Sequence, residues 1–324
     1  MTKAIRVHKT GGPEVLTFED VDLPPPGKGE VRLKHHAIGL NFIDTYFRTG
    51  LYPAPSMPFV AGNEAAGEVT AVGEGVTRVK VGDRVAYVSG LGAYSEERNI
   101  AEGVLIKLPE SISYKQGAGM LLKGLTACYL LRRTFKVEKG HAVLVQAAAG
   151  GTGTILTQWA RHLGATVIAT VGSAEKAKIA MENGAHHVIN YREGDFAPKV
   201  KEVTGGKGCD VVYDGVGKST FVGSLDSLKP FGVLASFGNA SGPVDGVNLG
   251  ILAAKGSLYV TRPTLNTHTA QPGVLDEMAA QLIEVVASGA VKIPVTQEFP
   301  LAKAADAHRA LESRETTGST VLIP

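Results

Sequence analysis

The sharpest change in hydrophobic patterning falls at residues 141–164, HAVLVQAAAGGTGTILTQWARHLG. A short apolar run at 142–145 suits a parallel strand buried on both faces. Small residues and glycines follow, from Gln146 to Gly153. Ile155, Leu156, Trp159, Ala160 and Leu163 then recur with the spacing of one helix face. Strand, glycine turn and helix predict the first unit of a dinucleotide-binding fold. The turn lets the backbone approach a pyrophosphate, and the helix N-terminus offers it unpaired N–H groups and the positive end of a dipole. Ala149, Gly150, Gly151, Thr152 and Gly153 are the residues this places at the phosphates. The pattern reads A-x-x-G-G-x-G, with Ala147 where G-x-G-x-x-G has its first glycine.

Upstream, short alternating runs at 4–7, 15–19 and 31–37 are separated by turns. The three prolines of LPPPGKGE (23–30) exclude helix and central strand there. Glycines 62, 67, 73, 75 and 82 punctuate 60–85 in the same style, which predicts a partly open β-barrel. After Ser113 the spacing turns helical, through Ala118, Leu121, Leu122, Leu125, Ala127, Leu130 and Leu131. This predicts a long helix leading out of the first domain. Beyond the glycine turn, strands at 166–170, 187–190, 210–214, 231–237 and 257–260 alternate with helices near 175–183, 196–203, 219–228 and 249–254. With 142–145 they predict a doubly wound parallel sheet. An amphipathic helix at 274–288 follows, and strands at 293–299 and 319–323 could rejoin the β-rich domain. The expected domains are 1–120 with 266–324, and 121–265.

A chain of 324 residues suits two such domains. The net charge of +2 gives no global pull toward nucleic acid or acidic lipid. Two cysteines, Cys128 and Cys209, make neither a disulfide framework nor a cysteine zinc site and read as small buried hydrophobes. With no signal-peptide core and no apolar run of membrane-spanning length, a soluble cytoplasmic protein is expected.

The order β-rich domain, dinucleotide domain and return, with AGNEAAGEV (61–69), VGDRV (81–85) and QAAAGGTG (146–153), resembles the medium-chain dehydrogenase/reductase superfamily. NFIDTYFRTGLY (41–52), KGLTACYLL (123–131), FGNASG (237–242) and TRPTL (261–265) are similar to its quinone oxidoreductases of the bacterial and zeta-crystallin kind. The resemblance implies a GroES-like catalytic domain beside a Rossmann domain, NADPH as cofactor, a quinone substrate and a homodimer. Zinc-dependent alcohol dehydrogenases of the superfamily carry Cys in the first region and His in a G-H-E triplet. Here Asn41 and Gly62-Asn63-Glu64 stand there, and the four-cysteine zinc lobe is absent, so the expected enzyme is metal-free. His35 and His36 are neighbours on a strand, face opposite sides and cannot pair at a metal.

The second strand of the sheet ends in Gly172 and Ser173 rather than the acid that bonds a ribose 2′-OH, and Lys176 follows. That leaves room and a cation for a 2′-phosphate. By resemblance, Tyr191 is a second 2′-phosphate contact, and Asn41, Asp44, Tyr46 and Tyr52 form a loop over the nicotinamide. Lys123 and Thr126 open the linking helix and resemble contacts to the nicotinamide end. Val216, Phe237, Gly238, Asn239, Thr261 and Arg262 fall at or after strand ends, where such sheets bind ligands. Arg314 precedes the last strand as a further cofactor contact. Tyr46 and Tyr52 would donate to a quinone oxygen. Two other functions fit the scaffold: reduction of the C=C bond of an α,β-unsaturated carbonyl, and a non-catalytic NADPH-binding structural or RNA-binding role. No basic stripe with interleaved aromatics supports the last.

Overall fold

The computed structural model describes residues 1–314 and 316–324. The chain forms two units, Met1–Leu122 with Ile293–Pro324, and Lys123–Lys292. The first opens with β1 (Thr2–Val7), β2 (Leu16–Val21), β3 (Glu30–Leu40) and α1 (Phe42–Thr49). It continues through β4 (Phe59–Val60), β5 (Glu64–Val72), β6 (Arg84–Val88), β7 (Glu97–Ala101), β8 (Leu105–Lys107) and α2 (Tyr114–Tyr129). β3 alternates strictly at first, with Val31, Leu33 and His35 inward, and then buries every residue from Ala37 to Leu40. That change marks where cover on one face becomes cover on both.

The second unit holds β9 (Ala142–Val145), α3 (Gly151–His162), β10 (Thr166–Val171), α4 (Ala174–Glu182), β11 (His187–Asn190) and α5 (Phe196–Val203). It continues with β12 (Cys209–Asp214), α6 (Phe221–Asp226), β13 (Leu228–Ser236), α7 (Gly250–Ala254), β14 (Tyr259–Thr261), α8 (Leu265–Thr269) and α9 (Val274–Ala287). The six strands are all parallel in the order β11-β10-β9-β12-β13-β14. Leu144, Ile168, Val212 and Leu234 from its middle strands anchor one core under α5 and α6. This is the doubly wound sheet the alternation predicts, with its order reversing beside β9.

The chain then returns as β15 (Val295–Pro300), α10 (Ala304–Glu312) and β16 (Ser319–Ile323). β16 pairs antiparallel with β3, giving the sheet order β15-β16-β3-β5-β6-β8, and β1 pairs β2 and β4 in a second sheet. The hydrophobic pattern puts α9 with the first domain; the unit boundary instead follows Lys292. The reason is packing within the second unit. A methyl group at Gly124 of α2 would overlap the Leu282 side chain of α9, and the Cys128 thiol donates to Gln281 Oε1 at 3.4 Å. β13 starts three residues before the run expected at Phe231 because Pro230 sits in an irregular, exposed stretch of the strand rather than ahead of it.

Candidate active site

In the second unit the glycine turn joins β9 to α3, with Gly150 as the N-cap. No side chain caps α3 and no acid lies in its first turn, so its leading N–H groups point out as an anion site. Gly153 packs on the turn so closely that a methyl there would overlap the Ala147 carbonyl oxygen. At the end of β10, Ser173 caps α4 by accepting the Lys176 backbone N–H at 3.2 Å and keeps its own hydroxyl proton to donate. The Tyr191 hydroxyl lies where a side chain at Gly172 would stand. The fold thus gathers Gly172, Ser173, Lys176 and Tyr191 at one strand end. The strand tip itself carries no acid, and Glu175 lies on the helix side of the turn, in the first turn of α4, so this glycine-lined edge fits a phosphorylated ribose.

Beneath this turn runs a buried polar network that sequence reasoning missed. Asp214, 1% exposed, accepts hydrogen bonds from Val216 N (2.8 Å), Gly217 N (3.0 Å), Thr220 Oγ1 (2.7 Å) and Ser224 Oγ (2.8 Å). Ser224 accepts from Gln146 Nε2 at 3.0 Å, and Gln146 accepts from the Thr170 hydroxyl. The ends of β12, β9 and β10 are locked together through it. The signal was an acid directly before the G-x-G of DGVG. The network limits one expected contact. Val216 gives its N–H to Asp214, and its carbonyl accepts from Ser241 N and Oγ, so its side chain alone can meet a ligand. Phe237 packs on Gly215, and a methyl at Gly238 would overlap the Gly215 carbonyl oxygen. Asn239 follows in the same loop, Thr261 ends β14 and Arg262 comes next.

Lys123 and Thr126 are buried in α2, but they do not open it. The helix begins at Tyr114, where Ser113 Oγ accepts the Gln116 N–H at 3.2 Å and Gln116 Oε1 accepts the Ser113 N–H at 3.0 Å, a reciprocal cap.

In the first unit, Asn41, Asp44 and Tyr46 do not lie in a loop. Asn41 is the N-cap of α1, and Asp44 Oδ2 accepts its backbone N–H at 2.9 Å. The turn residues around this stretch conceal a helix of two turns whose start is capped in this way. Tyr52 follows α1, its ring 5.2 Å from that of Tyr46 in an edge-on contact. Asn41 Nδ2 donates to Glu64 Oε2 at 2.8 Å, and Asn63 Nδ2 donates to Asp44 Oδ1 at 2.7 Å. Glu64 Oε1 accepts the Leu122 N–H at 2.7 Å. Two amides and two carboxylates, all nearly inaccessible, therefore interlock where zinc-dependent relatives carry metal ligands. Tyr94 adds a donor to Asp44 at 2.9 Å; burial and that carboxylate hold its hydroxyl well above the usual phenol range. His35 is buried, with Nδ1 2.7 Å from the Ser95 carbonyl oxygen and Nε2 3.0 Å from the Tyr87 hydroxyl, and desolvation pushes its pKa down to about 4. His36 is exposed and stacks on Tyr114. Among the described residues no group of three or more His, Cys, Asp or Glu is placed to hold a metal. Arg314 lies in this unit, in the turn after α10, with φ +61°.

A nucleotide cradle at the switch point of a parallel sheet, with a separate β-rich unit carrying a polar cluster, is the build of a two-domain dehydrogenase or reductase. Residues 27–110 match the alcohol dehydrogenase GroES-like domain, and residues 151–280 match the zinc-binding dehydrogenase domain. Over the full length of both chains, this one is 54% identical to a quinone oxidoreductase of Pseudomonas aeruginosa. It is 47% identical to a 2-haloacrylate reductase of a Burkholderia species, over 100% of this chain and 99% of that one. The crystal structure of Escherichia coli quinone oxidoreductase complexed with NADPH superimposes with a TM-score of 0.97 at 50% identity, covering 99% of this chain and 100% of that one. The chain belongs to the quinone oxidoreductases of the medium-chain dehydrogenase/reductase superfamily.

Proposed function

We propose that this enzyme reduces quinones with NADPH and needs no metal ion. The observation that carries the cofactor is the cluster of Gly172, Ser173, Lys176 and Tyr191 at the end of β10. Lys176 supplies a cation and Ser173 and Tyr191 supply hydroxyl donors to a 2′-phosphate, while the N-terminus of α3, from Gly150 to Gly153, receives the pyrophosphate. Ala149, Gly238, Asn239, Thr261 and Arg262 border the same strand ends. Lys123, Thr126, Asn41 and Arg314 complete the proposed cofactor contacts.

When bound, NADPH supplies the hydride. Negative charge grows on the quinone oxygen as the ring is reduced, and Tyr46 and Tyr52 serve as its donors, with Asn41 and Asp44 shaping the site. A quinone is strongly electrophilic and its product is aromatic, so the reaction does not call for the polarisation that zinc gives a saturated ketone. The donor set supports this: Asn41 and Asn63 commit their amide N–H groups to Glu64 and Asp44. The protein works as a homodimer in the cytoplasm, where Cys128 and Cys209 stay reduced. Both thiols are buried, and their pKa values are pushed up to about 12, so they are poor nucleophiles. No helix among the described residues is long and apolar enough to cross a membrane.

A second reading is reduction of an activated C=C bond, favoured by the relative named as a 2-haloacrylate reductase. Initial rates with benzoquinones, naphthoquinones and 2-enones separate the two. Quinones should turn over fastest, with NADPH preferred to NADH and with rates unchanged by a chelator. Faster turnover of enones would install the second reading. Loss of activity to chelator with recovery on adding zinc would overturn the metal-free assignment.

A further inference from the structure

We propose that His308 on α10 is a positioning residue that fixes the direction in which Asp44 and its partner Asn63 present their hydrogen-bonding atoms; this rests on reading Asn41 and Asp44 as shaping the substrate side of the first unit. His308 is absent from the motifs that mark the family here and lies 260 residues from the arginine that holds it.

Each link of the chain has one possible polarity. Arg48 is 1% exposed, and its guanidinium can only donate. It gives Nη1 and Nη2 to the two carboxylate oxygens of Glu312, at 3.0 and 2.6 Å, and Nε to the Gly11 carbonyl oxygen at 3.1 Å. The same Nη1 lies 3.0 Å from His308 Nδ1, which must therefore accept. Burial, with Arg48 alongside, pushes the His308 pKa down to about 3, so the neutral ring keeps its single proton on Nε2. Nε2–H donates to the Tyr94 hydroxyl oxygen at 3.0 Å, and that hydroxyl donates to Asp44 Oδ2 at 2.9 Å. Asp44 Oδ1 accepts Asn63 Nδ2 at 2.7 Å. Asn63 thus spends its donor inward and turns Oδ1 the other way. Asn63 as a whole is only 4% exposed. The orientation of that amide is dictated from Arg48 onward, through His308.

Burying ionic groups is a poor way to gain stability, since apolar packing of equal volume serves as well. A chain of forced polarity does something packing cannot: it stops Tyr94 from turning its proton away from Asp44, and so stops Asn63 from inverting.

The test uses the full-length enzyme. It measures quinone kcat/KM, the NADPH dissociation constant and the melting temperature of His308→Leu, His308→Gln, Tyr94→Phe, Asn63→Ala and the double variant of the first and third. His308→Leu and Tyr94→Phe should each lose about tenfold in kcat/KM, the low end for outer-shell partners. The double variant should lose no more than either alone, because both cut one chain. Gln offers a carbonyl to Arg48 and an amide to Tyr94, so His308→Gln should recover to within about threefold, with NADPH affinity unchanged in every case. A purely structural role would not give rescue by Gln at equal stability. If His308→Leu does not fold, Tyr94→Phe and His308→Gln still decide. Full kcat/KM in Tyr94→Phe, or losses that multiply in the double variant, would overturn the proposal. Full kcat/KM in Asn63→Ala would overturn the proposal at its last link, whereas the substrate-side reading of Asn41 and Asp44 would stand.

Discussion

Ala147 holds φ at +53°, the left-handed region where a side chain costs about 1–2 kcal/mol and glycine costs nothing. Its methyl group is exposed, so it earns little by packing. The neighbouring Ala148 is fully buried and is not among the residues of positive φ. Substitution by glycine should therefore act oppositely at the two positions. Ala147→Gly should be neutral to stabilising by up to about 1 kcal/mol, the relief of strain outweighing the added freedom of the unfolded chain. Ala148→Gly should cost about 0.5–1 kcal/mol. Urea unfolding of both variants checks this, and equal destabilisation would show that the turn is not strained at Ala147. The alanine in the first glycine's place is legible in the sequence; its left-handed backbone is not, because that conformation is imposed by Gly153 closing on the Ala147 carbonyl.

At the scale of elements, what could be read was what is local. The strand, glycine turn and helix at β9 and α3, and the alternation beyond them, follow from spacing within single segments. α1 was hidden because its two turns are bounded by turn-forming residues, and its Asn41–Asp44 cap marks the start more clearly than any apolar stripe does. His308, Arg48 and Tyr94 were illegible because their contacts join α1, the segment before β7, and α10 across more than 200 residues. The same buried groups set the acid response of the first unit. His35 ties β3 to β6 through Tyr87, and His308 ties α10 to α1. Burial, with Arg98 and His36 near the first and Arg48 near the second, holds their folded pKa values at about 4 and about 3, below the ordinary histidine value of 6.5. Between those limits the unfolded chain binds protons that the folded one refuses. Stability is then fully present above pH ~6.5 and falls as pH drops, by about 1.4 kcal/mol per unit for each histidine. The urea midpoint should fall between about pH 7.5 and about pH 5.5, and His308→Gln should remove roughly half of that histidine-dependent slope. A midpoint that is flat or rises on acidification would contradict the assignment of neutral, buried rings.

For the whole molecule, the open question is how the parallel sheet ends. β14 pairs only with β13, in parallel, and has no strand on its other side among the described residues. It carries Tyr259 and Val260 at 61% and 39% exposure, with no charge and no proline to blunt it. Phe231, 67% exposed, is held beside it by a hydrogen bond from its N–H to the Gly256 carbonyl. Such an edge is a template for another chain, and monomers guard theirs with charge, bulges or cover. A second copy related by a two-fold axis would pair β14 antiparallel with its own counterpart and bury these side chains in an isologous contact. Three residues of strand are too little for the ~1,200 Å² of a stable interface, so the exposed apolar groups around the edge must contribute. Light scattering at micromolar concentration should give twice the 33.9 kDa chain mass. Val260→Lys places a charge on the edge and should shift the protein toward monomer. A monomeric unmodified protein, or a Val260→Lys variant that remains fully dimeric, would exclude β14 as the seam.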